Sequence, residues 1–167
     1  TGLSLIFTAC GDDESNAVAS GEMESKQQQA EQKIRLRSLG LPDSFPTPKV
    51  PDDNLPSDAK VELGRHLFYD VRLSANQTYS CGTCHQQNFA FTDGLPVAVG
   101  STDESHHFGS MSLVNIAFAA SLGWANPTLN TLEAQALIPM FGEEPVELGL
   151  SSITEDELLD RIREDER

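Results

Sequence analysis

The stretch Cys81-Gly82-Thr83-Cys84-His85 decides how the rest of this 167-residue chain is interpreted. Two thiols three positions apart, followed at once by an imidazole, can all reach one flat macrocycle. Each thiol can add to a vinyl group of a porphyrin, and the imidazole of His85 then points at the iron from the same side. The pattern C-x-x-C-H is the attachment signature of c-type haem, so it predicts a covalently bound haem c with His85 as an axial ligand.

Two other uses of a C-x-x-C pair fit this sequence poorly. A structural zinc site needs a second pair of ligands at zinc spacing, and the chain has no cysteine after Cys84. A thioredoxin-like redox pair needs a βαβ context, which the surrounding pattern lacks. Because c-type haem is attached outside the cytoplasmic membrane in bacteria, the motif also predicts a periplasmic location.

Short helices are predicted on both sides of the motif. Ser57 is suited to cap a helix over residues 59–68, in which Ala59, Leu63 and Leu67 share one apolar face. Further helices are predicted over residues 84–87, 113–120 and 130–137 and from Thr154 onward, the last with Leu158, Leu159 and Ile162 on its apolar side.

The helix over residues 130–137 is expected to begin at a capping box that opens with Asn130 and to stop around Pro139. Residues 70–77 and 94–109 are expected to be loops. No period-2 strand pattern persists anywhere in the chain. The predicted fold class is therefore all-α, a cytochrome c-like haem domain with long loops.

The N-terminal residues have the pattern of an export signal. Residues 1–10 are mostly apolar, and Phe7-Thr8-Ala9-Cys10 resembles a bacterial lipobox, in which the cysteine is lipidated and becomes the mature N-terminus. The alternative is a frayed terminus with an incidental cysteine. The lipobox interpretation predicts a bacterial lipoprotein, held in the periplasm by a lipid anchor at Cys10.

Three further segments follow the lipobox. Residues 11–40 are acidic and Gln-rich with few large apolar side chains, which predicts a flexible tether. Residues 41–56 contain five prolines and are predicted to be an extended linker. Residues 57–167 are predicted to form the haem domain, and the helical pattern that is unfinished at the last residue suggests a fragment of a longer protein.

The charge balance excludes one class of partner. The chain has 11 Lys and Arg against 26 Asp and Glu, a net charge of −15. Between Leu73 and Asp160 there is no Lys or Arg, so no basic stripe is available for phosphates. We therefore expect no nucleic-acid partner and no electrostatic docking on anionic lipids, which leaves the anchor at Cys10 as the predicted membrane contact.

The second axial position of the iron decides between electron transfer and peroxide chemistry. Candidate sixth ligands are Met111, Met140, His106 and His107. Coordination by Met140 would make the protein a small electron-transfer cytochrome, although methionine at such a position more often fills a core. His106 and His107 lie in a polar loop, where the alternatives are exposed side chains or a ligand or distal-pocket role.

Several ordered motifs resemble the N-terminal haem domain of bacterial di-haem cytochrome c peroxidases. The resemblance covers residues 44–150, and the forms Trp124-Ala125-Asn126-Pro127 and Phe141 to Gly149 are most similar to the MauG/MbnH branch, whose enzymes oxidise residues of a partner protein. The motifs that carry it are Leu63 to Asp70, Arg72-Leu73-Ser74, Ser80 to His85, Ser112 to Asn115, Trp124, Leu132 to Leu137, Pro139 and Val146 to Gly149.

The resemblance implies a role for each matching residue. His85 would be the proximal ligand of a high-spin haem at which peroxide binds, and Glu147 would be the distal acid–base residue. Gln135 and Pro139 would line the same pocket, and Trp124 would relay electrons between two haems. Without the resemblance, Glu147 would be read as an exposed acid and Trp124 as a core residue.

The implied activity is that of a haem-dependent oxidoreductase that uses hydrogen peroxide. Peroxide would convert the ferric haem to a ferryl haem, which would oxidise an electron-donor cytochrome or cupredoxin, or a residue of a partner protein. The alternatives are a lipid-anchored electron-transfer cytochrome c with His/Met ligation and a non-catalytic haem module of a respiratory assembly.

The sequence departs from the family pattern at three points. Gly109 stands where the family has an Asn that helps to hold calcium, so calcium is left without that side-chain ligand. Ser101 stands where peroxidases have the His that caps the resting haem. A second C-x-x-C-H motif is not present in these 167 residues, and the second haem is expected in the full-length protein.

Overall fold

The computed structural model describes residues 23, 25–28, 30–31, 40–42, 44–124 and 126–164. The predicted lipobox at residues 1–10 lies outside the described residues, as does most of the predicted tether at 11–40. Described tether residues between positions 23 and 31 are helical. Residues 48–167 form one compact unit, which contains everything considered below.

The regular structure of this unit is mostly helical with little strand, as expected for a cytochrome c-like haem domain. The described residues of this unit contain four α-helices: α1 (Asp58–Phe68), α2 (Cys81–Cys84), α3 (Leu132–Phe141) and α4 (Glu155–Arg163). Short 3-10 helices occupy Val71–Leu73, Gln87–Phe89, Ile116–Phe118 and Leu150–Ser152. Among the described residues, β pairing is limited to three isolated bridges, Gln86–Thr92, Val99–Ser105 and Glu143–Val146.

The helix starts that rest on hydroxyl caps are confirmed. The Ser57 side chain accepts a hydrogen bond from the Lys60 backbone N–H at 3.3 Å, and α1 begins at the next residue. The Thr154 side chain accepts from the Glu157 N–H at 3.2 Å in the same way. These contacts satisfy N–H groups that have no partner within the helix, which is why the starting points were readable from sequence.

The helix predicted over residues 84–87 was misplaced. The turn of helix is α2, which covers the motif itself, because the Ser80 backbone N–H donates to Thr83 Oγ1 at 3.0 Å and starts the helix there. The helix predicted over 113–120 was also wrong in extent. Asn115 has a left-handed φ of 57°, which breaks the helical path and leaves only the 3-10 turn that follows.

Helix α3 corrects two further details of the prediction. Its cap is Thr131 rather than Asn130, since the Thr131 side chain accepts from the Ala134 N–H at 3.3 Å. Pro139 lies inside the helix, which continues to Phe141. Proline at this position removes the hydrogen bond to the carbonyl four residues earlier and crowds that carbonyl, and the helix nevertheless continues for two more residues.

The hydrophobic core is small. Leu73, Leu150 and Leu158 form its buried cluster, and partly buried side chains pack around it, namely Leu67, Met140, Ile153 and Ile162. Helix α3 has no buried residue at all, although it is rich in Leu, Ile and Phe. The polypeptide therefore leaves much apolar surface uncovered, which an apolar prosthetic group would help to bury.

A buried serine fixes the loop that leads into α2. Ser74 is fully buried, and its hydroxyl accepts hydrogen bonds from the backbone N–H groups of Thr78 at 3.2 Å and Tyr79 at 3.1 Å. Arg161 of α4 donates to the Ser74 carbonyl at 3.2 Å. Hydrogen bonds to both the hydroxyl and the backbone carbonyl of Ser74 thus fix this loop, which leads to Cys81 at the start of α2.

Candidate haem site

A cavity of about 250 Å³ lies beside α2. Both motif thiols and His85 line one side of it, and Glu147 lines it from the loop that follows α3. An adjoining cavity of about 230 Å³ shares His85 and Glu147 and extends to Trp124. The remaining wall of the first cavity is largely apolar and includes Phe68, Ala98, Val99, Leu113, Ile116, Leu132, Ala136 and Leu148.

The two cysteines of α2 face this cavity as unpaired thiols. Burial raises the pKa of Cys84 to about 11 and also raises that of Cys81, and the nearby Glu147 carboxylate acts in the same direction on both. Both thiols are therefore protonated at neutral pH, unlike the thiolates of a redox pair. Two thiols and an imidazole on one wall of an apolar cavity fit a haem c.

His85 is oriented by a backbone carbonyl. Its Nδ1 lies 2.9 Å from the carbonyl oxygen of Phe91. A carbonyl can only accept, so Nδ1 carries the hydrogen and donates it, which leaves the lone pair of the neutral ring on Nε2. Such a bond is the usual means of fixing the ring of a metal-ligating histidine.

The turn that supplies this carbonyl is conformationally unusual. Ala90 and Phe91 both have left-handed φ angles, 55° and 58°, which are uncommon for residues with a side chain. The bridge between Gln86 and Thr92 closes the turn. The consecutive left-handed residues fold the chain back on itself, so that the Phe91 carbonyl faces His85.

Glu147 is held in place through its backbone on both sides. The Glu147 carbonyl accepts from the Ser101 N–H at 2.7 Å, and the Leu148 N–H donates to the Pro139 carbonyl at 2.9 Å. The N–H of Val146 donates to Glu104 Oε2 at 3.2 Å. A side chain at Gly100 would collide with the Val146 carbonyl, so the glycine permits the close approach of these two segments.

The carboxyl of Glu147 is partly buried, and burial raises its pKa above the ordinary value of 4.5. His106 and His85 partly oppose this shift. Its neighbours Glu143 and Glu144 are exposed to solvent. Of these three acids, Glu147 therefore has the environment that an acid–base group needs, a raised pKa inside a cavity.

The structure brings the other two residues of the predicted distal pocket to the same place. Gln135 and Pro139 lie on successive turns of α3, and both line the cavity that holds Glu147 and His85. Because the two helix positions are four residues apart, they share one face. Their chemical roles stay predictions.

Trp124 is not a core residue. Its side chain is 61% exposed, and the indole Nε1 donates to the Gly109 carbonyl at 3.2 Å. The ring lies against Phe108, with centroids 5.5 Å apart. Trp124 thus lines the adjoining cavity together with His85 and is exposed to solvent.

The candidate sixth ligands lie in different surroundings. Met140 reaches the cavity wall but also packs against the core cluster, as a core-filling methionine does. Met111 and the exposed His107 line only the adjoining one of these two cavities. His106 lines both cavities, and its Nε2 is buried without a hydrogen-bond partner.

The two substituted positions of the family pattern are tightly packed. Ser101 is buried and its N–H is bonded to Glu147. Gly109 has no room for a side chain, because a Cβ there would collide with the Leu95 carbonyl. Within residues 44–124 and 126–164 and the few described before them, no cluster of three or more His, Cys, Asp or Glu side chains is placed to hold a metal ion.

Sequence reasoning did not identify two contributors to the site. One is the Phe91 carbonyl, which no residue type could reveal, because any residue at that position has one. The other is Ser110, which lines the same cavity as Cys84, lowers the pKa of that thiol against the effect of burial, and donates a hydrogen bond to Asp93 Oδ2 at 3.1 Å. No helix in the described part of the chain has the length and apolar run that a membrane crossing requires.

The chain is similar in sequence to several known proteins. The sequence profile of the di-haem cytochrome c peroxidases matches residues 58–167. The methylamine utilization protein MauG of Methylorubrum extorquens is 33% identical over 138 residues, covering 78% of this chain and 35% of that protein. Cytochrome c peroxidase Ccp of Escherichia coli (strain K12) is 32% identical over 121 residues, covering 72% of this chain and 25% of that protein.

A solved structure is similar as well. The crystal structure of a MauG-like protein associated with microbial copper homeostasis superposes with a TM-score of 0.71 at 47% sequence identity. The match covers 75% of this chain and 36% of that one. The chain therefore spans between a quarter and about a third of the length of these relatives.

Proposed function

The chain belongs to the di-haem cytochrome c peroxidase family, with MauG-like relatives, and from that premise we propose that residues 57–167 are the peroxide-reacting haem domain of a periplasmic oxidoreductase. The observation that carries the proposal is the position of Glu147. It lines the same cavity as His85, is anchored by its backbone, and has a raised pKa.

Cys81 and Cys84 would hold one haem c through two thioether bonds, and His85 Nε2 would bind its iron, with a second haem in the full-length protein. The haem, when bound, supplies the redox chemistry that takes two oxidising equivalents from hydrogen peroxide and passes them on. The donation from His85 Nδ1 to the Phe91 carbonyl at 2.9 Å holds the ring in the required orientation.

The task of Glu147 is to move one proton between the two oxygens of peroxide. Its carboxylate would take the proton from one oxygen of peroxide, and the resulting carboxyl would return it to the other oxygen, which leaves as water. The complete reduction consumes one peroxide, two electrons and two protons and yields two waters. Gln135 and Pro139 limit the space around the reacting oxygens from α3.

Trp124 would carry oxidising equivalents out of the cavity, either toward the second haem or toward a residue of a partner protein. Its indole is exposed at the cavity rim and is among the more readily oxidised side chains. The electrons that reduce the oxidised haem would come either from a residue of the partner protein or from an electron-donor cytochrome or cupredoxin.

Replacing Trp124 with Phe should leave the rate of the reaction with peroxide within about twofold of the parental rate. The later electron-transfer step should become at least about tenfold slower, which corresponds to an activation free energy higher by roughly 1.4 kcal/mol. Rapid-mixing spectroscopy separates the two steps. The change in the haem absorption bands after mixing with peroxide reports the first step, and the return of these bands to their starting form reports the second. An unchanged decay in Trp124→Phe would remove Trp124 from the path.

For the location, we propose the periplasm, with a lipid anchor at Cys10. Labelling of cells with a radioactive fatty acid should mark the parental protein and leave Cys10→Ala unlabelled. Label in both proteins, or in neither, would contradict the anchor.

The proposed function is tested by the spectrum of the ferric, haem-loaded protein. An open coordination site gives a high-spin spectrum that changes within seconds of adding equimolar hydrogen peroxide. A low-spin spectrum with the weak far-red band of a methionine–iron bond, unaffected by peroxide, would instead support the electron-transfer cytochrome with Met140 as ligand.

A further inference from the structure

His106 contains an unusual atom. Among the described residues, its Nε2 is the one buried side-chain nitrogen or oxygen that has no hydrogen-bond partner. A buried polar atom without a partner destabilises the folded protein, so native proteins rarely keep one unless a bound molecule supplies the partner. The unpaired Nε2 therefore indicates a hydrogen-bond partner that is not part of the polypeptide.

The position of His106 is set by its backbone. Its N–H donates to the Ala98 carbonyl at 2.9 Å, and the N–H of Ala98 donates to the Phe108 carbonyl at 3.0 Å. The adjacent bridge between Val99 and Ser105 closes the same loop. Ala98 is buried in the cavity wall. Backbone hydrogen bonds thus fix the position of His106 in the cavity wall. The lack of a hydrogen-bond partner for Nε2 is therefore not explained by a loosely held loop.

His106 faces the same space as the proposed acid–base residue. Both side chains line the first cavity and the adjoining one, together with His85. Of the two imidazoles that lower the pKa of Glu147 against the effect of burial, His106 has the larger influence.

We propose that His106 Nε2 hydrogen-bonds a small oxygen ligand bound in the cavity that His85 and Glu147 also line, so that peroxide is held by an imidazole and a carboxylate together. This inference rests on the proposed function and deepens it. The carboxylate of Glu147 moves the proton, while His106 holds the outer oxygen of peroxide in line for cleavage. No atom of His106 bonds to the iron in this arrangement.

The test uses fluoride, a small anion that binds ferric haem at the open site and is stabilised there by hydrogen-bond donors. In the haem-loaded protein, His106→Leu should raise the fluoride dissociation constant by about tenfold, as expected for loss of one hydrogen bond to an anion. His106→Gln retains an N–H donor and should stay within about threefold of the parental value. His66→Gln is the matched control, because His66 is exposed on α1 and does not line the cavity.

Two results would overturn the inference. One is an unchanged fluoride dissociation constant in a His106→Leu protein whose far-ultraviolet spectrum and thermal midpoint match those of the parent. The other is a low-spin parental haem that becomes high-spin in both His106 variants, which would make His106 an iron ligand. Peroxide reactivity of the parental protein is measured separately, so that an inert parent contradicts the proposed function and leaves the fluoride result interpretable.

Discussion

Glu147→Gln should slow the reaction of the ferric protein with hydrogen peroxide by about 10²–10⁴-fold, the usual cost of removing a positioned acid–base group. Glutamine keeps the shape of the side chain and cannot take or return a proton. The backbone bonds that anchor this position, from Ser101 and to Pro139, do not involve the side chain, so the variant should fold normally. The measurement is the second-order rate constant from rapid mixing of the haem-loaded protein with peroxide.

Glu143→Gln is the matched control for this prediction, because Glu143 is exposed and lies in the same loop. It should react at the parental rate. A Glu147→Gln protein that reacted as fast as the control would show that another group moves the proton.

Glu147→Gln should also be more stable than the parent, by a margin that grows as the pH rises. Burial raises the pKa of Glu147, so the folded protein binds this proton more tightly than the unfolded chain does. The stabilising contribution is complete below the unfolded value near 4.5 and is lost as the pH rises through the higher folded value. Glu147→Gln should therefore melt at a higher temperature than the parent at neutral pH, with the difference shrinking in acid.

The double variant Cys81→Ala/Cys84→Ala should lose covalent haem completely. Each thioether requires one of the two thiols that line the cavity from α2, and neither can be replaced by another described cysteine. On a denaturing gel stained for haem, the parental band should be strong, each single variant weaker, and the double variant blank. Since the protein core is small and centred on Leu73, Leu150 and Leu158, the haem-free protein should also melt at a lower temperature.

Cys10→Ala provides the matched control for cysteine loss. It lies outside the motif, and the variant should keep the full haem stain. Stain retained by the double variant would contradict attachment through the C-x-x-C-H motif.

The predictions that succeeded from sequence rest on contacts between near neighbours. The caps at Ser57 and Thr154 each involve a hydrogen bond to a residue three positions later, so the local pattern contains the whole interaction. The predictions that failed depend on backbone geometry. Asn115 enters the left-handed region and shortens a helix that residue preferences favoured, and α3 continues through Pro139.

Chemical identity along a short stretch of chain was sufficient to predict the haem-attachment motif and its proximal ligand, because Cys81, Cys84 and His85 lie within five residues of one another. The cavity residues distant in sequence from the motif could not be predicted in this way. His106 and Glu147 are separated from the motif by loops, and only the folded backbone brings them to a common cavity, buries one nitrogen without a partner and raises the pKa of one carboxyl. Burial and long-range proximity are properties of the packed chain, and these decide which of many acids and histidines can act on a bound oxidant.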